Sequence, residues 1–220
     1  MSIDVIITTW PIKRQRLFCL MQTLVALSRN LHADGCAAST IVSCETDGVT
    51  AEAKADVHEV CKWLNASLVF REKPASLPDH LNDAYALCES SVRLYVQDDW
   101  KLMRPLDIAP DILRIQESDI AGIRYLVPDS EAIKHVTRGY GDLDTSKQFV
   151  IPDWPMLSHR RWLEATGPYV GRPGHNRDHE SNMAAKIHSS GLRVLVPDHL
   201  IGKHRWHYFR HIGFVSSYRT

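Results

Sequence analysis

The chain has no run of about 18 apolar residues, so no membrane-spanning helix is expected. It has no basic stretch ahead of an early apolar segment. Met1-Ser2-Ile3-Asp4 leads directly into a strand-like run, and no secretory signal peptide is expected. It has no C-x-x-C pair: Cys19, Cys36, Cys44, Cys61 and Cys88 are odd in number and sit largely among apolar neighbours, the pattern of reduced core thiols in a cytoplasmic protein. Net charge is absent as well, with 26 Lys+Arg against 26 Asp+Glu. No global field draws the chain to nucleic acid or anionic lipid, and any such contact must be local. No repeat, low-complexity stretch or linker divides the 220 residues. What is present is ordinary for a globular protein, 44% hydrophobic and 24% charged, enough to bury a sizeable core.

Strand and helix signals alternate through the first hundred residues. Residues 3–9 are rich in β-branched side chains and read as a strand that Pro11 stops. Residues 14–29 set Leu17, Leu20, Met21, Leu24 and Leu27 at helical spacing. A short strand over 40–44, a helix over 50–64, a strand over 67–70, a helix over 77–88 and a strand over 92–96 follow. Strands separated by helices of this length imply βαβ units and a largely parallel sheet. Beyond Trp100 the pattern is irregular. Strands are expected over 120–127, 132–137 and 148–151, with Gly139-Tyr140-Gly141-Asp142 as a turn. Ser158 is the expected N-cap of a helix over 158–166, residues 168–176 read as a loop, and a helix over 178–190 ends at Gly191 before a last strand over 192–196. The fold class is therefore α/β: one Rossmann-like domain over 1–220 with a mostly parallel central sheet flanked by helices.

The most telling stretch is Leu94-Tyr95-Val96-Gln97-Asp98-Asp99-Trp100, an apolar run that ends in two adjacent carboxylates. In open α/β sheets ligands bind outside the carboxyl ends of the strands. Asp98 and Asp99 there could hold a divalent cation through hard oxygens, and the cation could hold a phosphate. The same two acids could instead cap the following turn.

Three further segments accompany it: Val5-Ile6-Ile7-Thr8-Thr9-Trp10, Leu81-Asn82-Asp83-Ala84-Tyr85-Ala86, and Asp178-His179-Glu180-Ser181-Asn182-Met183 ahead of Gly191-Leu192-Arg193-Val194. In order and spacing the four resemble a family-2-type glycosyltransferase with the GT-A fold: its first strand, its Asn-containing helix, its D-x-D-type metal strand, and its acidic pair with helix and closing strand. The triplet Gln97-Asp98-Asp99 departs from acids at the first and third positions, and His179-Glu180 departs from the usual Glu-Asp.

The resemblance implies inverting, metal-dependent transfer of a sugar from a nucleotide-diphosphate donor, a UDP-sugar first, to an acceptor hydroxyl. It implies a nucleotide-binding half over 1–100, an acceptor and catalytic half over 101–197, and a basic aromatic tail over 198–220. Its cofactor would be Mn²⁺ or Mg²⁺ on Asp99 and Asp98, joined by a tail histidine, His204 or His207. Thr8, Thr9, Glu45, Asp47, Arg71, Asn82 and Asp98 would contact the donor, and Lys73 could also meet phosphate. Glu180 would be the general base, because a helix N-terminus keeps a carboxylate ionised. Asp178 is the second acid there, or the N-cap. Trp100 and Trp154 could stack on a sugar or simply pack. A zinc reading on His175 and His179 is disfavoured, since no H-E-x-x-H is present and the cysteines are not clustered. The acceptor could be a saccharide. The tail Lys203-His204-Arg205-Trp206-His207-Tyr208-Phe209-Arg210-His211 interleaves bases with aromatics, which also suits modified nucleic acid. Two other classes stay open. One is a nucleotidyltransferase on a related sheet, although Pro11-Ile12-Lys13-Arg14-Gln15-Arg16 has bases but no glycine. The other is a non-catalytic nucleotide-sugar-binding module, which Gln97 and the unusual acidic pair favour.

Overall fold

The computed structural model describes residues 1–72, 77–125, 132–146, 154–170, 178–201 and 208–213, with only the backbone of 77 and 178–181. The chain runs β1 (Ser2–Thr9), α1 (Arg14–Asn30), β2 (Leu31–His32), β3 (Ala37–Glu45), α2 (Ala51–Trp63), β4 (Ser67–Arg71), α3 (Leu77–Ala86), β5 (Val92–Gln97), β6 (Trp100–Leu102), β7 (Leu106–Asp107), α4 (Ala109–Arg114), β8 (Ile120–Arg124), β9 (Ile133–Thr137), β10 (Tyr140–Leu143), β11 (Met156–His159), α5 (Arg161–Thr166), α6 (Asp178–Ser190), β12 (Arg193–Pro197) and β13 (Phe209–His211). A nine-stranded sheet in the order β4-β3-β1-β5-β11-β8-β12-β10-β9 forms the frame. Only β10 and β11 run against the other strands, so the sheet is mostly parallel.

β1 is central and covered on both faces, which is why it reads as a continuous apolar run rather than an alternation. Its side chains still divide by parity. Val5 and Ile7 enter one core with Leu20, Leu24 and Leu27 of α1 and Val57 and Cys61 of α2. Ile6 enters the other, with Leu81 and Ala84 of α3, Trp162 of α5 and Met183 and Ile187 of α6. Thr50 caps α2, its Oγ1 accepting from the Ala53 amide at 3.2 Å. Gly191 closes α6 at φ 73°, the left-handed conformation that ends helices.

The second half departs from the sequence expectation in two places. Ser158 is not a helix cap: it is buried in β11, between β5 and β8, and α5 begins only at Arg161. All four residues of β11 are buried, so an interior strand position outweighs the capping preference of serine. The turn near Gly139 is also shorter than expected. Arg138 and Gly139 take positive φ, and Tyr140 already pairs with both β9 and β12. The expected strand over 148–151 lies outside the described residues. Short pairs that carry too little periodicity to read, β2 with β7 and β6 with β13, complete the sheets. No helix among the described residues is long and apolar enough to cross a membrane.

Candidate active site

β1 has β3 on one side and β5 on the other, all parallel. The chain winds outward from β1 through α1 to β3 and through α2 to β4, then returns by α3 to β5 across β1. The direction of winding reverses between β1 and β5, and such a switch point opens a crevice at the strand tips. Thr8 pairs with Gln97 there, which places Thr9 and the Asp98-Asp99 pair at the reversal.

Those residues are tightly bound to each other. Thr9 Oγ1 donates to Asp98 Oδ2 at 2.6 Å. Arg16, the third residue of α1, places Nη2 2.9 Å from Asp98 Oδ1 and Nη1 2.5 Å from Asp99 Oδ2. The backbone of Asp98 is held as well: its amide donates to Thr8 O at 3.2 Å, and its carbonyl accepts from Thr23 Oγ1 at 2.8 Å. Asp98 is 0% exposed, Asp99 5% and Arg16 5%. Burial pushes the Asp98 carboxyl up to about 7, against the pull of Arg16.

The C-terminal strap lies over this pair. β13 runs antiparallel to β6, with His211 opposite Trp100. His211 Nε2 is 3.2 Å from Asp99 Oδ2, and the Ile212 amide donates to the Asp99 carbonyl at 2.8 Å. A Cβ at Gly213 would lie 2.5 Å from Asp99 Oδ2, so only glycine lets the strap approach this closely. Trp100 meets the His211 ring edge-on at 5.2 Å and tilts against Trp154 at 6.4 Å, and the Arg124 guanidinium covers Trp154 at 4.4 Å.

The remaining expected donor residues divide into two groups. Thr8, Glu45 and Asp47 belong to the adjacent tips. Thr8 Oγ1 shares a 2.6 Å hydrogen bond with Tyr95, Glu45 is buried at the end of β3, and Asp47 accepts the Trp10 indole at its carbonyl at 2.8 Å. Arg71 and Asn82 are engaged elsewhere. Arg71 ion-pairs with Asp83 and donates to Asp79 O at 3.1 Å. Asn82 clamps the Tyr169 backbone from both sides: Nδ2 donates to its carbonyl and Oδ1 accepts its amide, each at 2.8 Å. Asp178 and Glu180 lie in the first turn of α6, with side chains outside the described residues. Lys73, His175, Lys203, His204, Arg205 and His207 also lie outside them.

Two residues that sequence reading did not assign to the site, Arg16 and His211, join Thr9 in contact with the carboxylates of the acid pair. Arg16 did leave a signal. It stands on the buried stripe of α1 with Leu20, Thr23 and Leu27, a cation where helical spacing predicts an apolar residue. His211 left none, because a three-residue strand has no readable period.

The acid pair can be tested as a divalent-ion site on this geometry. Among the described residues no group of three or more His, Cys, Asp or Glu side chains could hold an ion. Thr9 takes one oxygen of Asp98 and Arg16 the other. Asp99 shares Oδ2 between Arg16 and His211, and its Oδ1 is buried with no hydrogen-bond partner among the described residues. A hard dication needs about six oxygen ligands. Asp98 Oδ1 likewise lacks a hydrogen bond but is ion-paired with Arg16, so the described side chains of the pair offer at most two oxygens, one of them facing a cation, and do not fit.

No family model matches the chain, and no curated protein does. Solved structures do. The mannosyltransferase PcManGT from Pyrobaculum calidifontis, in complex with GDP-Man and Mn2+, is similar with a TM-score of 0.57 and 15% identity, over 90% of this chain and 55% of that one. GalNAc-T7 with UDP, GalNAc and Mn2+ is similar with a TM-score of 0.66 and 12% identity, over 90% of this chain and 42% of that one. The chain thus spans about half the length of these two proteins. CMP:2-keto-3-deoxy-manno-octonic acid synthetase complexed with CTP is similar with a TM-score of 0.54 and 11% identity, over 89% of each chain. At these identities the likeness is one of fold, and the fold, a mostly parallel α/β sheet covered by helices, is GT-A-like.

Proposed function

We propose that the chain is a glycosyltransferase that takes a sugar from a nucleotide-diphosphate donor, a UDP-sugar first, and passes it to an acceptor hydroxyl. The observation that carries this reading is the switch point between β1 and β5, where the acid pair and the tips of β1 and β3 meet. The GT-A-like fold shared with a mannosyltransferase supports it. The base and ribose would lie across the tips that carry Thr8, Thr9, Glu45 and Asp47. Glu180, in the first turn of α6, is the proposed general base, with Asp178 beside it. A helix N-terminus favours the ionised carboxylate that this role needs.

The step is a single displacement. The acceptor oxygen forms the new bond to the anomeric carbon and its proton passes to Glu180, while the carbon–oxygen bond to the nucleoside diphosphate breaks and that group leaves. One attack from the opposite face inverts the anomeric centre. No part of it is routed through Mn²⁺ or Mg²⁺, because Arg16 already engages both acids. The acceptor is a saccharide, with modified nucleic acid as the alternative that the bases and aromatics of the tail suit.

Thermal-shift screening against UDP-, GDP-, dTDP- and CDP-sugars, followed by product analysis, tests the reading. One sugar nucleotide should raise the melting temperature, and Glu180→Gln should keep that shift and lose transfer. Transfer at the normal rate by Glu180→Gln would remove the base assignment. The second reading, a nucleotidyltransferase, is favoured by the match to the CTP-bound synthetase over 89% of each chain. It requires pyrophosphate release from a nucleoside triphosphate and a sugar, with no turnover of sugar nucleotides.

A further inference from the structure

We infer that Arg16 is the resident cation of the β5 tip, and that Asp98 and Asp99 fasten α1 and the strap to the strand instead of holding a divalent ion. This goes beyond sugar transfer and does not depend on it. The fork of the guanidinium spans the two acids, one terminal nitrogen to each, at 2.9 and 2.5 Å. That planar, two-pronged geometry is what arginine offers and a point charge does not. The cation is therefore matched to two carboxylates rather than lying beside one by chance.

Access is closed from the other sides. Asp98 has no exposed surface. The strap reaches Asp99 through the Ile212 amide and the His211 ring, and Gly213 packs so closely that an added methyl group would collide with the carboxylate. An ion entering here would have to displace Arg16 from both carboxylates and find further ligands. Breaking a buried ion pair is strongly disfavoured. Arg16 acts through the two acids and is a positioning residue. If this chain binds a diphosphate, the charge that stabilises it comes from groups other than an ion on this pair.

The test needs neither nucleotide nor acceptor, so it separates this inference from the reading of sugar transfer. Free Mn²⁺ is titrated into the full chain and followed by the electron-spin resonance of the hydrated ion. Wild type should leave the signal unchanged at millimolar Mn²⁺. Arg16→Met, which bares both acids, should bind Mn²⁺ at least roughly tenfold more tightly than wild type, since an unopposed pair of like charges attracts a dication strongly. Asp99→Asn added to Arg16→Met should abolish the gain, and Arg16→Lys, which keeps a charge in place, should stay closed to the ion. Stoichiometric, micromolar Mn²⁺ binding by wild type that Asp99→Asn removes would overturn the inference. So would a folded Arg16→Met that gains nothing. If Arg16→Met does not fold, wild type, Arg16→Lys and Asp99→Asn decide the matter: silence in all three supports the resident cation, and wild-type binding lost in Asp99→Asn refutes it.

Discussion

Two buried titratable side chains pull stability in opposite directions across the acid range. Asp98 has its carboxyl raised from 3.8 to about 7, mainly by desolvation. The folded state holds that proton more tightly than the unfolded chain. Its contribution is complete below about pH 4 and is lost as the pH rises through 7. His80 is the converse. Its Nε2 lies 2.9 Å from Ser43 Oγ and 3.1 Å from the Ser43 carbonyl. The carbonyl can only accept, so the proton of the neutral ring sits on Nε2. Burial, with Arg71 nearby, lowers His80 from 6.5 to about 4, so its contribution is lost as the pH falls from 6.5 toward 4. The two effects offset each other in that window. Urea denaturation of Asp98→Asn should therefore show stability rising with pH more steeply than wild type, and His80→Gln should show it falling. Each slope should change by at most about 1.4 kcal/mol per pH unit. Parallel profiles for wild type and Asp98→Asn would mean that Arg16, not burial, governs the carboxyl.

At the scale of elements, the informative contact joins α3 to the segment that leads into α6. The Asn82 side chain replaces a strand partner for Tyr169, satisfying both its carbonyl and its amide. Asn82→Ala leaves both groups short of a partner and should cost about 1–3 kcal/mol. The Tyr169 amide should then exchange faster with deuterium. Because α6 carries the proposed base, sugar transfer should fall more than nucleotide binding does. Equal losses in the two would make Asn82 a donor contact instead. This contact also shows which parts of the site were legible in the sequence. The tip at Asp98 and Asp99 was, because an apolar run ending in acids is a local signal. The partners of the clamp, of Arg16 and of His211 were not, because each depends on distant pieces of chain meeting, 87 residues apart for Asn82 and Tyr169 and 83 for Arg16 and Asp99; the buried stripe of α1 marks Arg16 as unusual without saying what it meets. Element types in the first hundred residues were legible for the same local reason, since long periodic segments carry their own signal. The strand β11 and the early start of β10 were not, since burial between neighbours decided them.

For the whole molecule, the sheet is a shared wall between two cores, and its doubly wound order makes their stabilities inseparable. Ile6 and Ile7 are adjacent in β1 and both fully buried, yet Ile7 packs with α1 and α2 while Ile6 packs with α3, α5 and α6. Truncating either to alanine opens a cavity on one face only, at a cost of about 2–5 kcal/mol. If the faces were independent, Ile6→Ala would loosen the α6 side and leave the α1 side native. Loss of either face, however, exposes the apolar side of the central strand and removes the support for its hydrogen-bonded neighbours β3 and β5. Both variants should therefore unfold in one transition, with far-ultraviolet and near-ultraviolet dichroism coincident as a two-state change requires, at lower midpoints than wild type. Two separated transitions in Ile6→Ala, the first losing only the α3, α5 and α6 layer, would show that the tips of β1 and β3, where the donor is proposed to bind, can stand without the layer that carries Glu180.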